Sequence, residues 1–262
     1  MEVYLLLFIA GVVAGFAAGL FGIGGGVILV PMFSYFFTSY LRVPEEVGFK
    51  ISVATSLAVI TVSTLFTSGL HVVSGKVDLK ELLKLLPWIL AGILFGVLFS
   101  HFVSGHVLKK IFGLFLLLLS IKLIADKGGA PKFSFKENVL LPAVLLLSAF
   151  SSALLGIGGG VVVNTLLFSL SQIETKRVVA LASVISFINA FLGTLLYMLV
   201  PAHKVLSWQL GYIYVPAAFF VALGGILGSR LGVKILHRIN QHLLRKLFGL
   251  LLVLIGLKML IK

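Results

Sequence analysis

Residues 3 to 37 carry no charged side chain. As one straight α-helix rising 1.5 Å per residue they would reach roughly 50 Å, against a bilayer hydrocarbon core of about 30 Å. Such a stretch has to be interrupted, and the sequence supplies the interruption in FGIGGGVILV, residues 21–30, with glycines at 22, 24, 25 and 26. Each glycine costs a helix roughly 1 kcal/mol relative to alanine, so the helix is expected to break there. The motif returns as GIGGGV at 156–161.

Comparable apolar runs fill the rest of the chain, at approximately 26–38, 49–70, 82–101, 108–125, 138–155, 161–172, 178–200, 208–233 and 243–261. With 60% hydrophobic residues, 11% charged ones and a mean hydropathy of +1.20, a soluble globule is excluded and a polytopic membrane protein is expected. The formal charge of +13 would suggest nucleic acid in a soluble protein. Here the Lys and Arg fall at helix ends and in short connections, where they anchor and orient the spans. No cysteine is present, so disulfides and thiolate metal sites are excluded. The N-terminal run has Glu2 and no basic residue before its apolar stretch, unlike a cleaved signal peptide, and is expected to be retained.

The runs fall into two halves. GIGGGV at 22–27 matches 156–161, KIFGLFLLLLSIK at 110–122 matches KLFGLLLVLIGLK at 246–258, and Gly92/Gly96 match Gly224/Gly228. We read a duplicated unit: residues 1–125 as a first transmembrane repeat, 126–137 as a polar linker, and 138–262 as a second repeat. Duplication of a helical membrane unit is the common architecture of secondary transporters.

Two geometries fit the glycine break, a long broken span or a hairpin that enters and leaves on one face. Basic residues choose between them. Four crossings per repeat would divide the 21 Lys and Arg almost evenly, whereas the hairpin puts seven (Arg42, Lys50, Lys109, Lys110, Lys204, Lys258, Lys262) on one side and the other fourteen on the opposite side. The expected fold is therefore all-α, with two inverted repeats, each a glycine-broken hairpin plus three transmembrane helices. The expected location is the cytoplasmic membrane, multi-pass, with both termini outside.

Two hairpins entering from opposite faces would bring Gly22, Gly24, Gly25 and Gly26 and their counterparts Gly156, Gly158, Gly159 and Gly160 toward the bilayer midplane. Each tip opens a short helix whose unpaired N–H groups favour an anion, and glycine lets that anion approach the backbone. Gly11, Gly15 and Gly19, like Gly92/Gly96 and Gly224/Gly228, are read instead as small residues for close helix packing. Polar side chains within spans add Thr55, Ser56, Ser183 and Asn189 as candidate hydrogen-bond donors, and Asn164 follows the second tip. Lys50 and Arg177 open equivalent helices and are candidates for steering an anion. No carboxylate falls mid-span, no pair of His residues with a Glu has metalloprotease spacing, and no Ser has a facing base at depth. An enzyme, a cofactor and a metal site are not expected.

These residues resemble the TauE/SafE family of membrane transporters, through GLFGIGGGVILVPMF, its repeat ALLGIGGGVVVNTLLF, and ATS at 54–56. The resemblance implies transport, often outward, of sulfite, sulfonates or related small anions. It places family positions at Gly22 to Gly26, Pro31, Thr55, Ser56 and Gly156 to Gly160. The second repeat departs with Thr165 in place of Pro31 and LAS in place of ATS. The expected partners are a small sulfur-containing anion, such as sulfite or sulfoacetate, and the lipid bilayer. Nucleic acid is excluded and a homodimer is left open. An anion channel, or a membrane scaffold or assembly factor that transports nothing, stands as the alternative function.

Overall fold

A computed structural model describes residues 2–21, 25–75, 77–125, 137–170, 174–202, 204–236 and 241–261. The first half contains α1 (Glu2–Phe21), α2 (Gly26–Tyr35) with a π-helical turn at Phe36–Tyr40, α3 (Glu45–Val73), α4 (Leu79–Phe102) and α5 (Gly105–Ala125). The second contains α6 (Glu137–Leu155), α7 (Gly160–Leu170), α8 (Thr175–Leu199), α9 (Val215–Leu236) and α10 (Gln241–Ile261). The apolar run read from 208 starts as a hairpin, β1 (Gln209–Leu210) and β2 (Ile213–Tyr214), and becomes helical only at Val215. Most of the linker, 126–136, lies outside the described residues.

Local chemistry sets several helix starts. Asp78 caps α4, its carboxylate accepting from the Lys80 N–H at 2.8 Å. Pro44 precedes α3, whose first turn holds Glu45 and Glu46, carboxylates that complement the positive end of the helix. Glu46 Oε1 also accepts from the Gly105 N–H at 3.0 Å, and Glu45 pairs with Lys109, which ties the start of α3 to the α4–α5 turn.

Among the described residues, four helices contain spans long and apolar enough to cross a bilayer: Glu45–Leu65, Leu82–Phe102, Arg177–Leu199 and Val215–Gly232. α3 and α8 form the centre, while α4 turns Leu90, Leu94, Phe95 and Leu98 outward, an exposed apolar face suited to lipid.

Glycine determines how the helices pair. A methyl group on Gly11 would lie 2.8 Å from Val221 Cα and one on Gly15 would lie 2.5 Å from Gly225 Cα, so α1 and α9 touch backbone to backbone and run parallel. Gly92 and Gly96 do the same for α4 against α6, at 2.8 Å from Ala149 Cβ and 2.7 Å from Ala153 Cβ, also in parallel. Two pairs of helices at matching places in the two halves run in opposite directions. Gly113 meets Met259 while Gly249 meets Ile124, so α5 and α10 are antiparallel; Gly193 meets Leu57 while Ser183 meets Thr67, so α3 and α8 are too.

Candidate functional site

The two glycine clusters meet. Gly22 and Gly24 lie outside the described residues, but a methyl group on Gly26 would sit 2.5 Å from both Gly156 O and Ile157 Cα, so the break in one half packs on the break in the other. Gly25 precedes α2 at φ 72° and its carbonyl accepts from the Ile28 and Leu29 N–H groups at 3.0 and 2.9 Å. Gly158 and Gly159 precede α7 at φ 75° and 78°, and Gly159 O accepts from the Val163 N–H at 3.1 Å. This left-handed conformation costs an L-residue roughly 1–2 kcal/mol, which is why glycine stands there. The amides that precede these bonded ones in α2 and α7 have no acceptor within their own helices, and each helix start leaves a positive partial charge at the break.

Beside this junction is a cavity of about 600 Å³. Gly25 and Gly160 belong to its wall, with Asn164 from α7, Val59, Ser63, Thr64, Thr67 and His71 from α3, Ser183 and Ser186 from α8, and small residues of α1 and α9. Val59 and Ser186 are buried at 3% and 4% exposure, whereas Ser63 and Thr67 are exposed, so the cavity widens toward the end where α3 finishes and α8 begins.

Most lining hydroxyls are already engaged. Ser63 and Thr64 donate to Ile60 O, Thr67 to Thr64 O, Ser229 to Ile226 O, and Ser183 to Thr67 Oγ1 at 3.4 Å. Ser186 Oγ has no partner, although it would lie only 2.7 Å from a methyl group on Gly158 and 3.4 Å from one on Gly160. Asn164 Oδ1 is likewise buried and unpaired. Turning that amide over exchanges Oδ1 for Nδ2 and replaces an idle acceptor with a donor. No carboxylate lines the cavity among the described residues. A wall without carboxylates among the described residues, with spare donors and two helix N-termini, suits an anion and disfavours a cation.

The other sequence candidates occupy different places. Thr55 and Ser56 are fully buried outside the cavity; Thr55 Oγ1 accepts from the Tyr214 N–H at 3.1 Å and Ser56 donates to Gly156 O at 2.8 Å. Asn189 Nδ2 donates to Ser148 Oγ at 3.0 Å behind the second tip, where Gly159 packs on the same pair. Lys50 reaches back to His101 O at 3.0 Å and braces α3 against α4. Arg177 stands in the first turn of α8, two residues before Val179, which lines the cavity. Burial raises the Tyr212 and Tyr214 phenols above their ordinary pKa; both flank the end opposite the cavity mouth. Among the described residues, no three His, Cys, Asp or Glu side chains gather to hold a metal.

His71 and Ser186 were not singled out from sequence as site residues. The signal was present in α3: Thr64, Thr67 and His71 follow three- and four-residue spacing and share one helix face.

Ten helices among the described residues, surrounding a largely apolar cavity dotted with hydroxyl groups at a break in the backbone, define a multi-pass membrane protein of the transporter class. The sequence profile of the sulfite exporter TauE/SafE family matches residues 7–259, and the chain belongs to that family. It is 30% identical to a probable membrane transporter protein of Methanocaldococcus jannaschii, over 98% of this chain and 95% of that protein. Similar proteins also named probable membrane transporters occur in Haemophilus influenzae, at 26% identity over 98% of each chain, and in Bacillus subtilis, at 24% over 97% of this chain and 96% of the other. No solved structure matches the chain.

Proposed function

We propose that this protein is a secondary carrier that exports a small sulfur-containing anion, sulfite or an organosulfonate, across the cytoplasmic membrane. The anion binds at the inner end of the cavity, between the α2 and α7 N-termini, with Ser186 and Asn164 as its side-chain donors. The observation that carries the reading is the pairing of two glycine-broken N-termini from opposite halves at one cavity that no carboxylate lines among the described residues. The halves are inverted repeats, a reading supported by the antiparallel courses of α3 against α8 and of α5 against α10. The cavity mouth faces the cytoplasm, both termini are outside, and the positive-inside distribution of Lys and Arg supports that orientation. Full burial of Ser52, Thr55 and Ser56 beyond the junction favours a carrier over an open channel.

Counterflow tests it. Proteoliposomes loaded with unlabelled sulfite or sulfoacetate should accumulate labelled sulfite faster than empty ones. A rate independent of the trans anion would remove the carrier reading.

A further inference from the structure

The open cavity has a counterpart in the chain, and the counterpart is shut. Ala14 and Ala18 of α1 line the cavity; moved by the 134 residues that separate the glycine motifs, they become Ser148 and Ser152 of α6. Val221 and Gly225 of α9, moved back by 132, become Ile89 and Ile93 of α4, and Ala182 and Ser183 of α8, moved back by 127, become Thr55 and Ser56 of α3. None of these six equivalents is more than 1% exposed. The tips obey the same exchange: Gly25 and Asn164 line the cavity, whereas their equivalents Gly159 and Val30 are buried.

The shut seam lies toward the opposite end of α3, at residues 52–56 rather than 63–71, and it is too polar for a core built only to stay closed. Ser152 Oγ and Asn189 Oδ1 are buried in or beside it without partners. Ser52 satisfies itself on Gly48 O at 2.7 Å, and Ser148 on Gly159 O at a long 3.2 Å. Buried polar groups without partners are rare in a finished interior and are expected where water or a solute enters in another arrangement. Three hydroxyl contacts pin the seam: Ser56 on Gly156 O, Thr55 under the Tyr214 N–H, and Tyr197 OH on Ala153 O at 2.9 Å. All three join different elements, so moving α3 and α8 against α6 and the β-hairpin breaks them together.

We infer that this seam is the second half of the permeation path, closed here, and that it opens to the far face as the described cavity closes. Thr55, Ser56, Ser148 and Ser152 then line it as Ala182, Ser183, Ala14 and Ala18 line the open one. The inference rests on the carrier reading for its purpose, and its test does not depend on identifying the anion.

The chain has no cysteine, so single cysteines report without background. Ser183→Cys and Ser152→Cys, reconstituted in sidedness-defined vesicles, are exposed to a membrane-impermeant maleimide on each face. Ser183→Cys should label from the face bearing Lys80. Ser152→Cys should label from the face bearing Lys204, roughly 10- to 1,000-fold more slowly, as expected for a state populated at about 0.1–10%. Ser56→Cys serves the same purpose if Ser152→Cys does not accumulate. Labelling of the seam cysteine from the Lys80 face, or from neither face within that range, overturns the inference. Two-faced labelling without sulfite counterflow would remove the proposed substrate and keep the alternate opening, and counterflow with labelling from one face alone would do the reverse.

Discussion

Removing the Ser186 hydroxyl separates binding from folding more cleanly than any other change to the cavity. The group is 4% exposed, donates to nothing in the protein, and lies beside Gly158 and Gly160 at the start of α7. If it donates to a bound anion, Ser186→Ala deletes a hydrogen bond to a charged group, about 1.5–3 kcal/mol, or roughly 10- to 150-fold in affinity. The ligand-free protein loses no internal hydrogen bond, and an unsatisfied buried group disappears, so its thermal midpoint should not fall. Ser56→Ala should behave oppositely. Its hydroxyl bonds Gly156 O across the junction of the halves, and deletion leaves a buried carbonyl unpaired at a cost of about 1–3 kcal/mol in stability. The assay is sulfite titration of purified protein by calorimetry, paired with the thermal midpoint of the empty state. A lowered midpoint with unchanged affinity in Ser186→Ala would refute the reasoning and make that hydroxyl a packing group.

Further outcomes are expected. Gly159→Ala should sharply reduce folded yield, because its methyl group would lie 2.5 Å from Ser148 Oγ and Asn189 Nδ2 at φ 78°, whereas Gly69→Ala, with open space around a helical position, should gain about 0.5–1 kcal/mol in a melting comparison. Gly15→Leu should lower the folded fraction measured by size-exclusion chromatography, since α1 and α9 touch there backbone to backbone. Thr55→Val should destabilise by about 1–3 kcal/mol by stranding the Tyr214 N–H, read as a lower thermal midpoint. Cysteines at Lys80 and Lys204 should label from opposite faces, the former protected in intact cells; labelling of both from outside would reject the proposed orientation.

The sequence alone determined the membrane setting and the places where the helices break. Each depends on local chemistry: apolar length against bilayer thickness, and glycine against helix propensity. It also marked Gly11, Gly15, Gly92 and Gly96 as packing positions, because four-residue spacing puts them on one helix face. Tertiary structure alone decided which half each face meets: α1 pairs with α9 and α4 with α6, so each half's first helix packs on the other half. It also decided which polar residues face space. Thr55, Ser56 and Ser183 look alike along the chain, yet only Ser183 lines the cavity, because the helices are packed open on one side of the junction and closed on the other. A periodic pattern specifies a face of a helix; what lies opposite that face depends on contacts 100 or more residues away, such as Ser56 on Gly156.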